Sequence, residues 1–131
     1  MLAKMLCFWR AMMRFCTSFL ALVLAAQPAA AIDVPYEKDI LRLSEILGSL
    51  HFLRNLCGER GTAWRDEMEK LMTAEKPDEA RKARIIASFN HGYRTFETTY
   101  STCTPAAVEA INRYMVEGEK LTREVYGRYG N

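Results

Sequence analysis

Two histidines and four cysteines carry the most reactive side chains in this sequence, and their spacing limits what they can do. His51 stands at the edge of an apolar stripe, and His91 lies two residues from both Phe89 and Tyr93, which turns it away from the apolar face of its segment. A metal site needs several ligands converging at bonding distance. Neither histidine has acidic or cysteine neighbours at ligand spacing, so no metal site is expected. The Cys-x-x-Cys-His of covalent haem attachment and the Glu-x-x-His pairs of di-iron bundles are absent. So are a glycine-rich phosphate loop and the Gly-x-Ser-x-Gly of a hydrolase. A cysteine nucleophile would need a partnered base, and none lies nearby in sequence. The expectation is therefore no catalytic residue, no cofactor and no enzyme.

The cysteines divide between two segments of different character. Residues 1–31 carry Lys4, Arg10 and Arg14 and no acid, followed by the uncharged run Phe15–Ala26. Gln27-Pro28 then breaks a helix, and Ala29-Ala30-Ala31 offers small residues for cleavage. That is the pattern of a secretory signal peptide cut between Ala31 and Ile32. A retained anchor is the alternative, but a span needs about 20 apolar residues, and this run reaches that only by counting Gln27, Pro28 and the alanines. Neither Cys7 nor Cys16 follows the small residues of a lipoprotein signal, and no twin-arginine pair is present, which favours the general secretory route. Export leaves Cys57 and Cys103, and an even pair in an oxidising compartment predicts a disulfide. Closing a loop of that length is worth about 4 kcal/mol in the chain-entropy model.

Charge excludes two partner classes. Three of the 18 basic residues lie in residues 1–31, so residues 32–131 set fifteen against all 16 acids, a net charge of −1. Nucleic-acid binding rests on clustered cations, and polybasic membrane association needs the same excess. Neither is expected, nor is a stable membrane span once the signal is removed.

Apolar residues of the exported part recur at steps of three and four, the helical period. Tyr36, Ile40, Leu43, Leu47, Leu50, Leu53 and Cys57 mark a first helix, with Gly58 suited to its C-terminal end. A short second helix starts near Thr62, whose hydroxyl could accept a first-turn amide, and carries Trp64, Met68, Leu71 and Met72 on its apolar face. Ile86, Phe89, Tyr93, Phe96, Tyr100 and Cys103 mark a third. Thr104-Pro105 starts a fourth, with Val108, Ile111, Met115, Thr122 and Val125 as its apolar face and residues 126–131 as a frayed tail. The prediction is an all-α, up-down-up-down four-helix bundle, its second helix short. Helices one and three then run parallel, and both cysteines fall at the same end.

Three further features invite a functional reading. Gly48, Gly92 and Gly118 each stand 12 to 13 residues into a helix, where glycine costs about 1 kcal/mol against alanine. They mark either close helix packing, the favoured reading, or room for a small ligand. The aromatic stripe Phe89, Tyr93, Phe96 and Tyr100 lacks surrounding cations and reads as core, not as a base-stacking platform. Glu59, Arg60, Trp64 and Arg65 gather beside Cys57 as a candidate protein-contact loop, since tryptophan and arginine are common interface anchors. The alternative is that Trp64 caps the core.

The sequence resembles a family of small exported alphaproteobacterial proteins whose domain has no known function. The likeness lies in Leu41–Gly48, in Leu56-Cys57-Gly58 with Trp64-Arg65-Asp66, in Ala87–Asn90 with Gly92-Tyr93-Arg94, and in Thr102–Ala107. The resemblance implies a periplasmic location and brings no activity or ligand. Taken together, the residues predict a periplasmic protein-binding or adaptor protein whose partner is another envelope protein. A small-ligand carrier with a cavity between helices is the second reading, and a hydrolytic or redox enzyme the third.

Overall fold

The computed structural model describes residues 33–130; the expected cleavage site at Ala31 and Ile32 lies outside them. The described residues form four α-helices: α1 Glu37–Leu56, α2 Ala63–Glu75, α3 Glu79–Glu97 and α4 Pro105–Tyr129. The described residues are all-α, as their periodicity predicts. Helix ends follow local chemistry. The Asp78 carboxylate accepts the Arg81 amide at 2.8 Å to start α3, and the Thr104 hydroxyl accepts the Ala107 amide at 3.1 Å to start α4, with Pro105 in the first turn. Thr62 behaves differently from expectation. Its hydroxyl donates to the Asp66 carboxylate at 3.1 Å and caps no amide. Gly58, at φ 100°, turns the chain out of α1 where a side chain would be strained.

Helix α1 is the hub. It packs against each of the other three, most extensively α3, while α3 meets α2 and α4 mainly through side chains such as Met68 on Phe89 and Phe96 on Tyr114. Contacts give the directions. Glu37 meets Arg81, and further along Phe52 meets Tyr93, so α1 and α3 run parallel. Arg54 lies over Trp64 at one end of α2, and the opposite end supplies Glu75 to the Glu37–Arg81 pair, so α2 runs back along α1. Tyr36 against Tyr129, and Arg42 against Glu117, set α4 antiparallel as well. The alternation of directions is that of the expected bundle.

The α1–α3 crossing depends on small residues. Ser44 and Gly48 stand four apart on α1, Ser88 and Gly92 four apart on α3, and a β-carbon on either glycine would overlap the other helix's backbone. Backbones this close need residues with little or no side chain. Ser44 and Ser49, both fully buried, spend their hydroxyls on the Ile40 and Glu45 carbonyls of their own helix. Two apolar clusters flank the crossing. Ile46, Leu50, Leu53, Phe96, Ala107, Ala110 and Ile111 form one, and Ile40, Leu47, Met68, Ile85 and Phe89 the other. Each fully buried leucine or isoleucine is worth about 1.5–3 kcal/mol.

A disulfide joins Cys57 to Cys103 with Cα atoms 4.9 Å apart, tying the end of α1 to the α3–α4 connection. At the other end, buried Arg81 donates to Glu37 and Glu75, both at 2.6 Å, and Arg84 donates to Glu37 at 3.2 Å. Two faces differ from the sequence reading. On α3 the buried residue is Ile85, while Ile86 is exposed, and the helix ends at Glu97, so Tyr100 and Cys103 lie in the connection to α4 and not on the helix as expected. On α4, Val108, Met115 and Thr122 are exposed, and the buried line is Ala107, Ala110, Ile111 and Gly118. Small residues let α4 settle close onto α1, which rolls the larger ones outward. The helix also continues to Tyr129, into the segment expected to fray, where the Tyr129 ring lies 4.7 Å from that of Tyr36.

Candidate functional site

Because α2 and α4 both lean on α1 without packing closely on each other, a gap opens between them above α1, whose Ile46, Leu47 and Leu50 beneath it are themselves buried. The result is an open groove of about 610 Å³. Leu43, Ile46, Leu47 and Leu50 of α1 form its floor, Trp64 and Leu71 one wall, Tyr114 and Met115 the other. Ala63, Ala74 and Gly118 keep the walls low, and Glu67, Lys70, Glu119 and Thr122 line the rim. The rim charges are already balanced: Lys70 bonds Glu67 at 2.7 Å, and Arg123 bonds Glu119 at 2.5 Å. What remains exposed to an occupant is apolar. A smaller hollow of about 310 Å³, lined by Met68, Met72, Ile86 and Phe89 among others, lies between α2 and α3.

The glycines divide between the two readings open in the sequence. Gly48 and Gly92 mark close packing. Gly118 faces the groove, and a β-carbon there would come to 3.3 Å from Ile46 Cγ2.

The loop residues do not share one surface. Glu59, Arg60 and Arg65 are exposed, and Glu59 pairs with Arg54. Trp64 turns inward instead, packing against both apolar clusters and lining the groove, with the Arg54 guanidinium 5.7 Å from its ring centroid. Its indole Nε1 is buried without a hydrogen-bond partner among the described residues.

The histidines remain apart in role. His51 is half-buried, its ring 6.0 Å from Phe89 and 5.8 Å from Tyr93. Burial, helped by Arg65, pushes its pKa down. His91 is exposed, 4.0 Å from Glu45. Among the described residues no three His, Cys, Asp or Glu side chains are grouped to hold a metal ion, and no helix is long and apolar enough to cross a membrane.

Sequence reasoning missed the groove. Its walls use Leu71 and Met115, both read from spacing as ordinary core. The available signal was the width of the α4 stripe: Val108, Met115 and Thr122 recur every seven residues beside a second line through Ala107, Ile111 and Gly118. A helix with two apolar lines has one to spare.

A family model described as a protein of unknown function (DUF2385) matches residues 35–129. No curated protein and no solved structure matches the chain.

Proposed function

The chain belongs to this DUF2385 family of unknown function, and from that premise we propose that it is an exported binding protein, an adaptor that holds a helix of another envelope protein in the groove between α2 and α4. The groove carries the reading. It is apolar, open along its length and charge-balanced at its rim. Amphipathic helices dock in such grooves through residues at i, i+3, i+4 and i+7. On the α4 side Met115 and Thr122, seven residues apart, line the groove. The compartment in this reading is the periplasm, reached by the general secretory route with cleavage after Ala31. A disulfide between Cys57 and Cys103 suits an oxidising compartment.

The groove volume also favours a second reading, a carrier for a small apolar ligand, because ligand sites commonly occupy about 300–1,000 Å³. Such sites bury most of their ligand, however, and an open groove leaves one face wet.

A photo-crosslinking residue at Met115, introduced in cells, distinguishes the two. A protein adduct that disappears when Ala74→Glu charges the facing wall supports the adaptor. A small-molecule adduct with no protein partner would replace it with the carrier. Intact mass of the exported protein checks the cleavage site: a full-length chain held in the membrane fraction would mean that residues 1–31 are an anchor.

A further inference from the structure

Six large apolar side chains are exposed among the described residues, and five of them lie on α4. The two most exposed are Val116 at 68 % and Tyr126 at 74 %. Neither lines the groove. At about 100° per residue, Val116, Glu119, Arg123 and Tyr126 fall within one quarter of the helix circumference, on the flank of α4 away from α1.

The order of these residues is symmetric. Val116 and Tyr126 stand five residues either side of Leu121, and Glu119 and Arg123 stand two either side. Two identical helices packed antiparallel about a two-fold axis place each residue opposite its mirror position in sequence, so a self-complementary face must read as complementary partners about one midpoint. This face does. Apolar stands opposite apolar, and acid opposite base.

We infer that the protein forms a two-fold homodimer in which α4 pairs antiparallel with α4 of a second copy at the height of Leu121. Val116 then packs on Tyr126 of the second copy, and Glu119 faces Arg123 of the second copy. Within one chain Arg123 already bonds Glu119 at 2.5 Å, with both side chains about two-thirds exposed. The dimer converts two such pairs into a ring of four alternating charges, which fixes register and rejects a parallel pairing. The contact is a single helix face, so the dimer is of the small, concentration-dependent kind. It adjoins the groove at Glu119, which lines the rim, while Val116 and Tyr126 lie outside it.

Sedimentation equilibrium of protein purified from cells expressing the full chain tests this, with helical circular dichroism checking that each variant is folded. The wild type should move from monomer to dimer mass as concentration rises. Glu119→Arg should weaken association by about tenfold or more, through like charges set face to face. The double reversal Glu119→Arg with Arg123→Glu should restore it. Register is read separately by disulfide formation between two variants: Val116→Cys mixed with Tyr126→Cys should cross-link, and Val116→Cys alone should not. A monomer at every concentration overturns the inference. So does a dimer indifferent to the charge reversals, or one that links Val116→Cys to itself.

Discussion

Gly48 of α1 lies against the main chain of Phe89 on α3 so closely that a β-carbon there would stand inside the Phe89 carbonyl group. Gly92 repeats the relationship in the other direction, against the Glu45 carbonyl and the Ser49 hydroxyl. The two glycines set the distance between the parallel helices, and that distance allows both apolar clusters to close.

Alanine at either position should therefore destabilise strongly, although alanine is the better helix former by about 1 kcal/mol. Overpacking against side chains costs about 1–3 kcal/mol, and here the obstacle is backbone, so a loss of about 3 kcal/mol or more is expected for Gly92→Ala. Gly118→Ala is the contrast. Its new β-carbon would reach the Ile46 Cγ2 methyl at 3.3 Å, a contact that a shift of a few tenths of an ångström relieves, whereas one on Gly92 would meet backbone at 2.0 Å. The change should stay within about 1 kcal/mol of neutral. Chemical denaturation of the variants checks all three, and a Gly92→Ala protein more stable than wild type would exclude close approach at that crossing.

Much of this fold is legible in the sequence because helix periodicity is a local signal. The four segments and the cap at Thr104 follow from spacing and turn chemistry, and the meeting of Cys57 with Cys103 from their even count and the parallel run of helices one and three. The groove is not local. It exists because α2 and α4 each spend their buried face on α1 and none on each other, and no single helix records that choice. The same limit applies at Ile85 and Ile86, where two adjacent isoleucines offer equally good stripes and only the position of α1 selects the first. For Trp64, the sequence allowed the ring to point either way across the loop. Both apolar clusters had to be in place before inward was the better choice.

The disulfide closes a 46-residue separation between the ends of the two parallel helices. Replacing both cysteines by serine should cost about 2–4 kcal/mol, a fall in melting temperature of roughly 10–20 °C for a domain of this size. Calorimetry measures it. Thiol labelling of the unreduced, denatured exported protein should find no free cysteine, and two labelled residues would refute the bridge.

Acid should loosen the α1–α4 contact. The Arg42 guanidinium donates to both oxygens of Glu117, at 2.7 and 2.9 Å, and that hydrogen bonding above all holds the Glu117 carboxyl below its ordinary range. A carboxylate with a lower pKa folded than unfolded contributes stability above its unfolded value, about 4.3. That contribution is lost as pH falls through the depressed folded value. The pair is part-exposed, so the gain at neutral pH should be below about 1 kcal/mol. Melting temperature followed from pH 6 downward should fall less steeply for Glu117→Gln than for wild type below about pH 4.3. Parallel curves would show that the pair carries none of the acid sensitivity.

Trp64 reports directly on the groove. Of the two tryptophans in the sequence, Trp9 lies in the proposed signal peptide, so the exported protein fluoresces from Trp64 alone. Its ring packs on both apolar clusters and lines the groove wall, so emission should be blue-shifted and resistant to aqueous quenchers. Truncation should be costly. A fully buried tryptophan loses about 3–5 kcal/mol as alanine, and this half-buried one should lose about 2–4 kcal/mol. Arg60→Ala, on the exposed loop, should stay within about 0.5 kcal/mol of wild type. Trp64→Phe separates packing from polarity: it keeps the aromatic contact and removes an indole N–H that is buried without a partner among the described residues. Leaving such a donor unsatisfied is itself a cost of about 1–3 kcal/mol, so phenylalanine should recover most of what alanine loses. Emission at the wavelength of exposed indole, with a negligible loss in Trp64→Ala, would place the ring outside the groove and return it to the contact loop with Arg60 and Arg65.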